Sequence, residues 1–339
     1  MRRAAALVLV CVAALVAACE RPADSVAELH GRTMGTTYSV KVYPPPPADI
    51  ADRLQRQIEQ RLDEINRQMS TYQPDSDLMR FNHNPSTEWQ AVPAAVAHLV
   101  SQAAAISAAT DGMYDVTAGP LVNLWGFGNR GRRETPPAEE EIASALSRVG
   151  YHLVEVRDSP PALRKHVGGV EIDLSSIAKG WAVDELASLL DAEQLANYLV
   201  EIGGELRTRG SKGDDVPWRV AVERPVAAVR EVQHLVALGD AAMATSGDYR
   251  NYFDVDGKRF AHTIDPHTGQ PVHHALASVS VIAERCADAD AWATALMALG
   301  EQRAPATAER LGLEALFIVR DGDGFREIES SAWRASGRG

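Results

Sequence analysis

An α+β fold, with a mostly antiparallel sheet packed against helices, is predicted from three observations. Strand-like alternations and helix-like periods mingle along the chain without the regular strand–helix succession of a parallel doubly wound sheet. Ile50, Leu54, Ile58, Leu62, Ile65 and Met69 step by four, four, four, three and four, which is the clearest amphipathic helix in the sequence. No GxxxxGK[ST] phosphate loop occurs, so nothing points to a P-loop sheet. With 339 residues, 45% of them hydrophobic, the chain can build a sizeable core in one large domain or two.

The N-terminus sets the expected address. Arg2 and Arg3 precede the uncharged run Ala4–Ala18. That run is shorter than the roughly 20 apolar residues of a membrane span and fits the apolar region of a secretory signal. It ends Leu15-Val16-Ala17-Ala18-Cys19, which resembles the bacterial lipobox, with Cys19 as the lipidated residue. The expected organisation is a signal peptide at 1–18, a lipidated tether at 19–30 and one domain at 31–339. The expected location is the bacterial cell envelope, facing the periplasm and lipid-anchored, with the inner membrane favoured over the outer. Of three cysteines, Cys11 leaves with the signal and Cys19 carries lipid. Cys286 remains alone, so no disulfide framework or cysteine metal site is available within one chain. The net charge of −12 argues against nucleic acid, whose affinity rests on cations at phosphates.

The expected elements follow in order. Gly31–Val42 alternates as a strand, and Pro44–Pro47 stops it. The periodic helix ends in a turn-rich loop carrying Tyr72. A second helix, Ala94–Ala109, stops at Asp111-Gly112. Asp111–Gly128 is a glycine-punctuated loop holding Met113, Tyr114, Asp115, Trp125 and Phe127. These aromatics either fill the core or wall a flat ligand. A polar loop spans Asn129–Thr135, and a short helix spans Glu139–Val149. Val170–Leu174 alternates as a strand, and Ser175 and Ser176 are natural N-caps for the helix that follows. Further strands are expected at Tyr198–Ile202, Glu205–Arg209, Trp218–Val222, Val232–Leu238, Ala277–Ala283 and Leu316–Val319.

Four segments carry candidate chemistry. Asp173, Ser175, Ser176 and Lys179 gather where a strand is expected to hand over to a helix. Free backbone N–H groups at such a point suit an anionic ligand, although a capped helix with a surface lysine has the same pattern. Thr245 and Ser246 before Gly247 read as a turn able to wrap a phosphate. In Phe260–Val272, His262 lies close to Asp265 and is a candidate general base; a structural turn histidine is the competing account. In Cys286–Gly300, Asp290 and Thr294 are four apart and share a helix face. Together they offer the hard oxygen ligands that magnesium takes.

MGTTYSV, STYQPDSDLMRFN, DGMYDVTAGPLVNLWGFG, IDLSSIAKGWAVD, EIGGELRTRG, ATSGDYRNYF, HTIDPHTG and ADADAWATALM resemble, in order, the motifs of the ApbE family of FAD:protein FMN transferases. The resemblance runs from about Gly31 to Gly300 and implies a T-fold-like α+β architecture. It also implies transfer of FMN from FAD to a Thr or Ser of a target protein, with release of AMP and use of Mg2+. Position by position, it implies that Met34, Tyr72, Met113, Tyr114, Asp115, Asp173, Lys179 and Ile264 contact FAD. It implies that Asp290 and Thr294 bind magnesium with the backbone carbonyl of Ser176, and that His262 takes part in transfer. The implied partner is an acceptor flavoprotein subunit of a respiratory or electron-transfer system. Thr263 departs from the pattern, which often has an apolar residue there, and the Lys179 position varies within the family. Two other readings stay open beside transfer: a magnesium-dependent FAD pyrophosphatase, and a flavin-binding lipoprotein without turnover.

Overall fold

The structure is a computed structural model that describes residues 25–338 apart from 129, 130, 132, 134, 227–230, 250, 251, 256 and 257. The expected signal peptide, the lipidation site Cys19 and the start of the tether lie outside the described residues.

The sheet that organises the molecule has eight strands, in the order β1 (Ala27–Thr33), β2 (Thr36–Val42), β6 (Tyr198–Ile202), β7 (Glu205–Arg209), β10 (Ala242–Gly247), β13 (Leu276–Ala283), β14 (Glu314–Asp321), β15 (Gly324–Glu329). Every neighbouring pair is antiparallel, as the unalternating sequence pattern predicts. Smaller sheets are β3 (Gln90–Ala91), β5 (Pro161–Lys165) and β4 (Val154–Asp158); β8 (Arg219–Glu223) with β9 (Val232–Ala237); and β11 (Tyr252–Val255) with β12 (Lys258–Ala261). The helices are α1 (Ala48–Met69), α2 (Asp77–His83), α3 (Ala94–Ala109), α4 (Gly119–Leu124), α5 (Glu139–Leu146), α6 (Ala178–Ala192), α7 (Cys286–Leu311, interrupted at Gly300) and α8 (Ser331–Ser336).

The main sheet is covered on both faces, so its central strands are apolar on both sides. Along β13, Val279 and Val281 join the core beneath α7, whereas Ile282 joins the opposite core with Val220, Val236 and Trp333. Along β14, Phe317 and Val319 face the first core and Leu316 and Ile318 the second. This is the two-residue period of a pleated strand. The largest core lies among α1, α3, α6 and the first strands. In α1 the buried residues are Leu54, Ile58, Leu62, Ile65 and Met69, the stripe read from the sequence. Each contributes roughly 1.5–3 kcal/mol relative to exposure.

Five expectations change. Gly31–Val42 is not one strand but part of a hairpin, because Met34 (φ 50°) and Gly35 (φ 73°) form a two-residue turn in the left-handed region. Strand β1 begins at Ala27, paired with Val42, so residues 27–30, expected in the tether, form part of the sheet. Val170–Leu174 belongs to no strand. The Asn82 side chain stands in for a strand there: its amide donates to Ile172 O and accepts from Ile172 N, both at 2.8 Å. Ser175 and Ser176 do not cap α6; Ile177 holds that position without a side-chain bond. Finally, Thr245 and Ser246 are strand residues of β10, not a phosphate-wrapping turn. Thr245 pairs with Ser280 across the ladder, and their hydroxyls meet at 2.7 Å.

Candidate active site

The site is built where the first turns of α6 and α7 cross. Gly180 makes that crossing possible, since a Cβ there would lie 2.3 Å from Cys286 O. One turn further along α6, the Asp184 carboxylate accepts from Cys286 N at 2.9 Å and Ala287 N at 3.0 Å. It thereby caps α7 from the neighbouring helix. Arg207 neutralises it at 2.7 Å.

The capped start of α7 carries Asp290, buried, into the head of α6. Its Oδ2 accepts from Gly180 N at 3.0 Å. Gly180 stands three residues after the N-cap Ile177, so its N–H is one of the first-turn donors that no carbonyl of the helix serves. Among the described residues no hydrogen bond is made to Ser176 O. The Asp290 carboxylate therefore caps the head of α6 from the neighbouring helix, and the Ser176 carbonyl just before α6 is left open. Thr294 lies one turn beyond Asp290, with its hydroxyl 3.3 Å from Ser246 Oγ. The donor set is one carboxylate, one hydroxyl and one open carbonyl, all hard oxygens that fit Mg2+ better than a softer metal. Among the described residues no group of three or more His, Cys, Asp or Glu side chains forms a metal cluster.

Lys179 enters the same crossing. Its Nζ is 2.6 Å from Glu205 Oε1 and 3.7 Å from Asp290 Oδ1. Burial opposes its charge, but the two carboxylates outweigh burial and hold it above the ordinary lysine range. Burial raises the Glu205 carboxyl; Lys179 pulls it down and Asp290 pushes it up, leaving it raised. Tyr114 is also buried, and its hydroxyl lies 2.9 Å from Ser176 Oγ. Burial raises this phenol, and the charges of Asp290, Asp173 and Asp115 raise it further against the Ser176 hydrogen bond.

The structure thus brings Tyr114, Ser176, Lys179 and Asp290 together, with Thr294 on the same helix. Asp173 is half-buried and accepts from the Ser175 backbone and hydroxyl. Asp115 is committed locally, accepting from Thr117 N at 2.8 Å, Thr117 Oγ1 at 2.6 Å and Tyr151 N at 2.7 Å; burial still raises its carboxyl. Met34 occupies the left-handed hairpin position and packs against the main core. A β-turn glycine would hold that position more cheaply, and such strain concentrates at functional sites. Met113 is buried beneath α7. Tyr72 is 70% exposed, on the loop after α1. Ile264 is buried with Leu121 and Trp125, and His262 stands edge-on to Phe127 at 6.4 Å. The Asp265 carboxylate accepts from His267 N at 2.8 Å within its own turn. A cavity of about 320 Å³ between α4 and α5, lined by Pro120, Asn123, Leu124, Arg133 and Arg148, contains none of the expected site residues.

The sequence reading missed Glu205 and Asp184. Glu205 follows Gly203-Gly204 at the first position of a strand whose next residue is also buried. An acid at an inward strand position was the available signal. Asp184 drew no separate reading from the sequence, and it is the cap of another helix.

The ApbE family model matches residues 34–317. The chain belongs to the ApbE family. Among curated ApbE-type relatives, the FAD:protein FMN transferase of Vibrio cholerae serotype O1 is 45% identical over 320 residues, spanning 94% of this chain and 95% of that protein. The FAD:protein FMN transferase of Escherichia coli K12 is 40% identical, spanning 92% and 90%. A solved structure of the flavin transferase ApbE from Vibrio cholerae superposes with a TM-score of 0.85 at 43% identity, covering 92% of this chain and 99% of that one. The ApbE protein of Thermotoga maritima gives 0.81 at 31% identity, covering 93% and 100%.

Proposed function

We propose that this chain transfers FMN from FAD to a Thr or Ser hydroxyl of an acceptor protein, releasing AMP, with Mg2+ at Asp290, Thr294 and Ser176 O. The observation that carries the reading is the carboxylate cap at the head of α6. Buried Asp290 takes the Gly180 N–H, the Ser176 carbonyl just before α6 accepts no hydrogen bond among the described residues, and Thr294 lies one turn beyond Asp290. A bound Mg2+ would supply charge neutralisation at the diphosphate and at the leaving phosphate.

In the reaction the acceptor oxygen forms a bond to the phosphorus on the FMN side, and the bond from that phosphorus to the bridging oxygen breaks. The bridging oxygen leaves with AMP. The acceptor proton needs a base, and His262 is the proposed one. Phosphoryl transfer asks the protein mainly for positioning and charge stabilisation. Lys179 adds a cation beside Asp290. Met34, Tyr72, Met113, Tyr114, Asp115, Asp173 and Ile264 are the proposed FAD contacts. Tyr72 is the exposed aromatic among them, with a ring face free for a flat ligand.

The acceptor is proposed to be a flavoprotein subunit of a respiratory or electron-transfer system. Lipidation at Cys19 would hold the enzyme to the membrane, facing the periplasm. Among the described residues no helix is long and apolar enough to cross a membrane.

The test is incubation with FAD, Mg2+ and a candidate acceptor, followed by an AMP assay and a search for covalent flavin fluorescence in a denaturing gel. AMP together with a labelled band is expected. AMP without label would reassign the chain as a pyrophosphatase, and neither product would leave a binding protein. For the anchor, Cys19→Ser should abolish lipid labelling and membrane retention; unchanged retention would refute it.

A further inference from the structure

Lys179 presents a problem that flavin transfer alone does not resolve. A lysine beside a carboxylate meant for a divalent cation competes with that cation. Its stem is flexible and its side chain is 29% exposed, so it has room to move. Yet its ammonium stands 3.7 Å from Asp290 Oδ1 and 2.6 Å from Glu205 Oε1. Glu205 is the more rigid partner. It begins β7 opposite Ile202 in the β6–β7 hairpin, where Gly204 N donates to Glu201 Oε1 at 2.7 Å. Its side chain is only 5% exposed. Its second oxygen, Oε2, is buried with no hydrogen-bond partner, an arrangement that costs stability unless it serves a purpose. The three groups formally sum to one negative charge, two carboxylates against one ammonium.

We propose that Glu205 is a positioning residue that holds the Lys179 ammonium off Asp290 and so keeps that carboxylate open to the divalent cation. The inference rests on the proposed metal role of Asp290. Without Glu205, Lys179 has one carboxylate left to satisfy its buried charge. It would close on Asp290 and neutralise the ligand.

The experiment is Mg2+ titrated calorimetrically into the FAD-free protein, with Mn2+ paramagnetic resonance as a second probe and circular dichroism to verify folding. Glu205→Gln should weaken metal binding about tenfold, the scale of coupling between contacting groups. Adding Lys179→Met to that variant should restore affinity to within about threefold of wild type, because the competitor is gone. Glu205→Asp keeps the charge but draws it back by one methylene, so it should lose about threefold and serves if the Gln variant folds poorly. The proposal is overturned if folded Glu205→Gln or Glu205→Asp binds metal as wild type does, or if the double variant stays as weak as Glu205→Gln. A wild-type protein that takes up neither ion overturns the metal reading and this one with it. Wild-type binding with unchanged variants overturns this one alone.

Discussion

Among the described residues Lys165 and Lys179 both reach into the interior, and their surroundings show how a structural cation differs from one in a candidate site. Lys165, on β5, is 1% exposed. It donates to Asn82 O and Asn84 O, each at 3.0 Å, and lies 4.6 Å from the Phe81 ring centroid. Those carbonyls end α2, the negative pole of a helix. Burial pushes this ammonium down to about 8, against the opposing charge of Glu171. Lys179 meets two buried carboxylates instead, which hold it above the ordinary lysine range despite burial. Carbonyl dipoles tie Lys165 to a helix end and stitch two elements together. Around Lys179 the carboxylates exceed the cation, which leaves charge for something that arrives from outside.

The sharpest way to break this contrast is at Asp290. If its charge serves the reaction, Asp290→Ala should lower AMP release about a thousandfold at limiting Mg2+, the upper scale for removing one electrostatic group. Asp290→Asn can still accept from Gly180 N but carries no charge, so it should fare nearly as badly. A near-normal rate for Asp290→Asn would make the residue a helix anchor and return Lys179 to the structural class. Chelation should stop the wild-type reaction.

As a base for the acceptor and not a metal ligand, His262 should have a smaller and separable effect. His262→Ala should lower transfer by about a hundredfold, the usual scale for losing a general base. FAD binding, followed by flavin fluorescence, should stay near normal. His262→Asn restores hydrogen bonding without basicity and should not rescue the rate. Parallel loss of binding and rate, with rescue by Asn, would assign His262 to ligand holding.

Much of the scaffold was legible because it rests on period alone. The α1 stripe, α3 from Ala94 to Ala109 and β6 and β7 stand where the sequence puts them. What escaped depends on contacts between distant residues. The Asn82 amide replaces a strand partner for Ile172, and no local pattern announces it. Asp184 caps a helix about a hundred residues later. The site was legible as motifs, with Asp290 and Thr294 separated by one helical turn. Its inner logic was not, because Glu205 reaches Lys179 only through the β6–β7 hairpin.

Lys165 tests the structural side of the contrast. Lys165→Met keeps the apolar stem and removes the donor, leaving Asn82 O and Asn84 O without their ammonium. The cost should be about 1–3 kcal/mol, the penalty for an unmet buried polar group, read from urea unfolding. The rate per folded molecule should not change. A variant of wild-type stability but lower activity would show that the stitch reaches the site.

The last test is the pH dependence of that stitch. The Lys165 ammonium titrates near 8 in the folded chain and near 10.4 when unfolded. Below about pH 8 both states hold the proton and the charge is buried at full cost. Between the two values the unfolded state binds more protons than the folded one, so stability from this group rises with pH through that window. Above the upper value both states are neutral and the gain is complete. Wild type should therefore gain unfolding free energy relative to Lys165→Met between about pH 8 and 10. Taking the difference removes the other groups that titrate there. A wild type that instead loses ground to the variant as pH rises would mean that the two carbonyls and Glu171 favour the ammonium more strongly than burial opposes it. Lys165 would then be a cation held by its surroundings, as Lys179 is, and the line between the two lysines would rest on Asp290 and Glu205 alone.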